Sequence, residues 1–320
     1  METVVGKDLN DASELLKKGE LIAIPTETVY GLAGNALNED ALLHIYQTKK
    51  RPSFDPLIMH LPDFREAEHY ATEIPEIFFK LSKIFCPGPL TFILKKKNIV
   101  PDIMTSGLPT VAVRVPDHPL TLQLLRTLPF PLAAPSANLF GKISPTSAQH
   151  VQKQLGGKIP YILDGGCCKI GIESTIIAFE NNSIQVLRQG GISIEMLKKI
   201  STKIPVQYEG NTEQISAPGQ LKSHYATHTP LITGNIEELM EKYSISNVAI
   251  LSFYKTFKNA DKRNIRILSP AKDFNEAAKN LFRFMHELDE LGCDLILAEK
   301  LPDKGLGRAI NDRLQRASGV

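Results

Sequence analysis

Short apolar runs alternate with segments of helical periodicity over the first two hundred residues. LIAIP, at residues 21–25, is an unbroken apolar stretch of the kind that forms a strand buried on both faces. Residues 38–49 carry Leu42, Ile45 and Tyr46 at helical spacing. Asn38 is placed to cap that helix, Glu39 and Asp40 fall in its first turn, Lys49 in its last, and Pro52 stops it. The same pattern predicts strands at 57–60, 91–94, 110–115, 131–134, 161–163, 174–179 and 183–188, and helices at 75–85, 118–127 and 146–155. Many strands with few helices between them predict a mixed or antiparallel twisted sheet, not a regular doubly wound one.

The pattern breaks at residues 205–229, where polar residues are scattered around Pro218 and Gly219. A stretch of this length without periodicity reads as a linker, and such segments often serve as lids. Beyond it, residues 247–252 and 294–298 look like strands of a parallel sheet, 274–291 like a long amphipathic helix and 309–317 like a terminal one. The expected architecture is α/β throughout. A larger domain at 1–204 with a twisted mixed sheet is joined by a linker or lid at 205–229 to a small Rossmann-like α/β domain at 230–320.

Composition narrows the function classes. The 320 residues include 37 Lys and Arg against 35 Asp and Glu, 42% hydrophobic residues and no Trp. These are globular values, and the small net charge counts against a chain whose main work is coating nucleic acid. No apolar stretch approaches the roughly 18 residues of a membrane span, and the N-terminal twenty residues do not read as a signal peptide. Cys86, Cys167, Cys168 and Cys293 form no CxxC pair, which predicts reduced thiols and a cytoplasmic location without membrane association.

Five clusters carry chemistry. PTETVYGL (25–32) packs Thr26, Glu27, Thr28 and Tyr30 into a strand exit, where ligands of sheet proteins commonly sit. TKKRPSFDPLIMH (48–60) holds Lys49 and Arg51 in a loop fixed by Pro52 and Pro56, an arrangement suited to a polyphosphate, and ends in His60. PTVAVRVPDHP (109–119) puts Arg114 inside an apolar strand; pointing inward, it must be paired with a protein carboxylate or a ligand's. APSANLFGKISPT (134–146) is rich in small residues that let a ligand approach the backbone, with Ser144 and Thr146 also placed to cap a helix. LDGGCCKIGIESTI (163–176) precedes Arg188 in VLRQGG. There is no P-loop, no GxGxxG after a strand, no GxSxG elbow and no metal-ligand spacing. The inventory fits a site that positions anionic substrates and stabilises developing phosphate charge.

These strings, with PGPLTFIL (87–94), the SAPG and HYA of the linker, and GLGRAINDRLQRA (305–317), occur in the order found in the YrdC-type threonylcarbamoyl-AMP synthases, and the chain resembles the long form of that family. The resemblance implies a YrdC-like domain around a basic cavity. It also implies formation of L-threonylcarbamoyladenylate and pyrophosphate from L-threonine, bicarbonate and ATP, a nucleotidyl transfer that would feed threonylcarbamoylation of adenosine 37 in ANN-reading tRNAs through a separate transferase complex. By motif, Thr28, His60, Arg114, Ala134 and Ser174 would line the threonine pocket. Arg51, Asp55, Thr110, Ser136, Asn138, Ser144, Arg188 and Tyr225 would hold ATP, with Lys49 and Arg51 as the catalytic cations at the phosphates. Mg²⁺ would arrive with ATP, without a tightly bound cofactor or a protein metal site. Asp55, Phe140, Gln189 and Ser223 depart from the family's usual residues. The competing class is a non-catalytic module for structured RNA; weak RNA binding would also suit a synthase with a basic concave face.

Overall fold

The computed structural model describes residues 2–208, 224–243, 247–257 and 260–319; the expectations placed on SAPG and on Ser223 lie outside these residues. Two compact units emerge. The first draws on Met1–Phe140, Pro145–Cys168 and Glu173–Gln220, and the second on Gly141–Ser144, Lys169–Ile172 and Leu221–Val320.

The helix at Glu39–Lys49 forms as its pattern predicts. The Asn38 side chain accepts from Ala41 N–H, Leu42, Ile45 and Tyr46 are buried, and Lys50 ends the helix in the left-handed region at φ 53°. Helices at Glu76–Phe85, Pro119–Thr127 and Ala148–Leu155 follow. The cap of the last is Ser147, not Ser144 or Thr146: its side chain accepts from His150 N–H.

The first unit's sheet has twelve strands among the described residues, in the order Val4–Gly6, Tyr161–Leu163, Ile22–Ile24, Gly31–Asn35, Leu132–Ala133, Ile58–His60, Thr110–Arg114, Leu90–Lys96, Thr175–Glu180, Ser183–Arg188 and Val206–Gln207, with Ala71–Thr72 pairing off Leu90–Lys96. Parallel and antiparallel pairs are mixed.

Period-two alternation divides the two faces of this sheet. Leu57, Met59, Leu61, Leu90, Phe92, Leu94, Val111, Val113 and Ile177 enter the main core, where Phe92 meets Phe64 and Phe78 at centroid distances of 4.5 and 5.0 Å. A buried side chain of this size contributes roughly 2–3 kcal/mol. Their strand neighbours Ile58, Ala112 and Ile176 form a small separate apolar cluster, packed by Ile93. His60, Thr91, Thr110 and Arg114 share that second face by register.

In the second unit the four strands are all parallel, in the order Leu231–Gly234, Leu295–Glu299, Val248–Ser252 and Ile265–Ile267. The long helix spans Phe274–Asp289, capped by the Asp273 carboxylate on Glu276 N–H, and the terminal helix spans Leu306–Ala317.

Candidate active site

Strand pairing brings together the residues expected to line the amino-acid pocket. His60 stands opposite Arg114 in the parallel pair, and Arg114 stands opposite Thr91 in the antiparallel one. Thr91 Oγ1 lies 2.7 Å from Ser174 Oγ, and Ala134 N–H donates to the Ile58 carbonyl at 3.0 Å. Residues distant in sequence thus form a row across five neighbouring strands, roughly 4.8 Å apart. Thr28 enters from the loop after Ile22–Ile24, and its Oγ1 accepts from Arg114 Nη2 at 2.8 Å. Thr28, His60, Arg114, Ala134 and Ser174 are all buried.

Arg114 points inward, and a protein carboxylate meets it. Nη2 donates to Glu27 Oε1 at 2.7 Å, with Arg114 and Glu27 side chains only 5% and 2% exposed. Glu27 Oε2 accepts from Asp117 N–H at 3.0 Å. Both of these fixed bonds from Arg114 leave Nη2; Nε is buried and has no hydrogen-bond partner among the described residues. An unmet guanidinium donor is what a ligand carboxylate satisfies.

His60 is a neutral imidazole. Burial, and then the charge of Arg114, push its pKa down to about 3. Nδ1 lies 3.1 Å from the Ile58 carbonyl, which can only accept, so Nδ1 carries the proton and Nε2 is left as an acceptor.

Of the residues expected to hold ATP, Arg51, Asp55 and Thr110 lie near one another. Arg51 pairs with the buried Asp55 carboxylate at 2.8 Å and donates from Nε and Nη2 to the carbonyls of Asp55 and Pro56. Pro56 lines a small hollow with Leu57, Ile93, Thr110 and Ala112, which brings Thr110 beside the Arg51 loop. The Asp55 departure therefore pairs with Arg51. Arg188 donates from Nε and Nη2 to the Ser174 carbonyl at 3.1 and 2.9 Å, and from Nη2 to Ser174 Oγ at 3.1 Å, which ties it to the amino-acid pocket. Gly190 makes this approach feasible, because a Cβ there would overlap the Glu173 carbonyl and the Ser174 backbone.

Lys49 is placed differently from its expected contact with phosphates. Nζ donates to the carbonyls of Ser136 and Asn138, and the side chain is fully enclosed. Burial, then Arg51, lower its pKa, while Asp55 acts in the opposite sense. It holds the Ser136–Asn138 turn in place, a positioning task.

Ser144 and Tyr225 fall in the second unit. The Ser144 carbonyl faces His286 Nε2 at 3.2 Å. Tyr225 sits at φ 67°, its ring 5.1 Å from that of Phe282, with the Arg313 guanidinium 5.9 Å from its centroid. The four cysteines are unbridged, and burial raises the Cys86 thiol to about 12. Among the described residues no cluster of His, Cys, Asp and Glu could hold a metal ion, and no helix is long and apolar enough to cross a membrane.

Sequence reasoning gave Glu27 no role and passed over Thr91. The signal for Thr91 was available: it is the polar residue between Leu90 and Phe92 on a strand whose other face is core. Glu27 had only its place in the strand exit.

A mixed sheet with one face closed over a core and cations gathered on the other is the arrangement of the YrdC-like domains. The family profile described as Sua5_yciO_yrdC, telomere recombination, matches residues 14–190. A second profile, threonylcarbamoyl-AMP synthase C-terminal domain, matches residues 192–319. A threonylcarbamoyl-AMP synthase of Pyrococcus abyssi is 41% identical over 96% of this chain and 93% of its own length, and one of Bacillus subtilis 39% identical over 96% and 92%. The crystal structure of P. abyssi Sua5 complexed with L-threonine superimposes with a TM-score of 0.89 at 38% identity, covering 100% of this chain and 98% of that one. E. coli YciO covers 59% of this chain and 94% of its own, with a TM-score of 0.52 at 25% identity. The chain belongs to the threonylcarbamoyl-AMP synthase family.

Proposed function

We propose that the protein condenses L-threonine, bicarbonate and ATP into L-threonylcarbamoyladenylate and pyrophosphate, acting as a nucleotidyltransferase. The observation that carries this reading is Arg114: a buried guanidinium held by Glu27 and Thr28, with Nε unmet, beside a neutral His60. Threonine's carboxylate takes the unmet Nε–H of Arg114, and His60 Nε2 accepts an N–H or O–H of the amino acid. The free amine and bicarbonate give a carbamate and water. A carbamate oxygen then forms a bond to the α-phosphorus of ATP as the bond to the pyrophosphate oxygen breaks. Arg51 and Arg188 supply fixed positive charge where phosphate charge shifts during that displacement. Lys49 keeps the Ser136 turn in the shape that receives the nucleotide.

Mg²⁺ would enter with ATP as its counter-ion and would neutralise part of the triphosphate charge. Homologues named as synthases, at 34–41% identity over 96–98% of this chain, favour catalysis over a non-catalytic RNA-binding module. The adenylate would serve the threonylcarbamoylation of adenosine 37 in ANN-reading tRNAs through a separate transferase complex in the cytoplasm. The test is pyrophosphate release from ATP, with mass-spectrometric detection of the adenylate. Release is expected only when threonine and bicarbonate are both present; release indifferent to threonine sinks the proposal.

A further inference from the structure

Glu27 lies outside the pocket as the motifs define it, yet it is bound on both carboxylate oxygens. Oε1 takes Arg114 Nη2 at 2.7 Å and Oε2 takes Asp117 N–H at 3.0 Å. It is 2% exposed. The buried thiols of Cys86 and Cys168 both sense its charge together with that of Arg114. Glu27 therefore holds one nitrogen of the guanidinium, Nη2, and is itself enclosed in the molecule.

That placement has an electrostatic consequence. A buried guanidinium without a counter-ion attracts any small anion strongly, because little water screens it. The reaction brings a polyphosphate to Arg188, and Arg188 is tied through Ser174 and Thr91 to the strand position opposite Arg114. A bare Arg114 would compete for those phosphates, or for product pyrophosphate, and lose its amino acid.

We propose that Glu27 is a positioning and charge-balancing residue that reserves Arg114 for an amino-acid carboxylate. It cancels the long-range attraction for phosphate-like anions and fixes Nη2, so that only a ligand with planar carboxylate geometry and further contacts in the pocket binds well. This rests on Arg114 being the threonine site, as argued above. Glu27 touches neither substrate; it acts through Arg114.

The test uses the full-length enzyme and sulfate, an unreactive mimic of a phosphate group. Threonine-dependent pyrophosphate release is followed at rising sulfate for the wild type, Glu27→Gln and Glu27→Asp. In the wild type, sulfate competes with threonine only weakly, with a Ki in the tens of millimolar. In Glu27→Gln the competitive Ki falls at least tenfold; in Glu27→Asp, which keeps the charge, it stays within about threefold of the wild type. A folded Glu27→Gln enzyme with an unchanged sulfate Ki overturns the proposal. So does a wild-type enzyme that sulfate inhibits competitively at submillimolar concentration, a result that needs no variant to fold. Calorimetric titration of threonine into the double variant Glu27→Gln, Arg114→Gln, which leaves no charge of the pair buried alone, separates the two claims. Retained threonine affinity there refutes the Arg114 site itself, whereas lost affinity with an unmoved sulfate Ki in Glu27→Gln refutes only the role of Glu27.

Discussion

Replacing Arg114 by Gln removes the guanidinium and leaves a shorter, neutral amide that ends near the position of Nε. Two effects follow, and they must be separated. On the ligand side, the unmet Nε–H of Arg114 offers a charge-assisted hydrogen bond to a carboxylate, worth about 1.5–3 kcal/mol. Losing it weakens threonine by about 2 kcal/mol, or between one and two orders of magnitude. On the protein side, the same change strands the Glu27 carboxylate, which is 2% exposed and bound at 2.7 Å to Arg114. Orphaning a buried partner costs about 3–5 kcal/mol, a large share of a typical domain's stability of roughly 5–15 kcal/mol. The decisive protein is therefore the double variant Glu27→Gln, Arg114→Gln, in which two amides replace the pair and no charge is left buried. Isothermal titration with threonine and ATP separately, and a melting curve, give the three numbers needed. The expected outcome is near-normal melting, threonine binding weakened at least tenfold and an ATP Kd within about threefold of the wild type. Equal losses for both ligands would refute the assignment of Arg114 to the amino acid.

His60, held neutral down to about pH 3, makes folding acid-sensitive. Between its unfolded pKa of about 6.5 and 3 the unfolded chain takes a proton that the folded chain refuses, so stability falls with pH, by roughly 3 kcal/mol from pH 7 to 4.5. Urea unfolding across that range should show this loss, and His60→Gln should flatten it; an unchanged acid limb in the variant contradicts the burial argument. Lys49→Met leaves the Ser136 and Asn138 carbonyls without their donor, so the KM for ATP should rise at least tenfold while that for threonine moves less than threefold. The reverse pattern in steady-state kinetics would show that Lys49 serves the amino acid. Gly190→Ala forces a Cβ into the Glu173 carbonyl and the Ser174 backbone. Activity should fall at least tenfold, with a lowered melting temperature, and wild-type turnover would mean that the Ser174–Arg188 link is dispensable.

Elements with a strong local signal were legible from sequence. The Asn38 cap, the apolar stripe of the helix at Glu39–Lys49 and the parallel strands Val248–Ser252 and Leu295–Glu299 need only their own residues to be recognised. The strand Gly31–Asn35 was not legible: GLAGN has no β-branched residue, and it is a strand because Ile22–Ile24 and Leu132–Ala133 pair with it on either side. The short helix Ile194–Ile200 and strand Val206–Gln207 hid for a similar reason. Val206–Gln207, inside the stretch read as a linker, gains its geometry from pairing with Ser183–Arg188. Within the candidate site, residue types were legible and partners were not. The pattern said that an inward Arg114 requires a counter-charge, but choosing Glu27 over a ligand needed the register of strands far apart in the chain. Lys49 shows the converse: a cation beside Arg51 reads as a phosphate contact until the fold brings two carbonyls to it.

The buried charges follow one logic. Arg51 and Arg114 each have a carboxylate from the chain, Asp55 and Glu27, at 2.8 and 2.7 Å. Lys49 and Arg188 are held mainly by carbonyl oxygens of Ser136, Asn138 and Ser174. Four bare cations in so small a volume would repel one another and would be costly to bury. The two carboxylates halve the net charge without removing the hydrogen-bond donors that recognise substrate. His60 completes the balance, because the charge of Arg114 adds to burial in keeping the imidazole neutral. A further cation beside Arg114 would draw phosphate towards the amino-acid pocket, and an added anion would repel the carboxylate. A neutral acceptor does neither. The residual positive charge then lies with Lys49 and Arg188, the two cations that have carbonyl partners in place of a carboxylate.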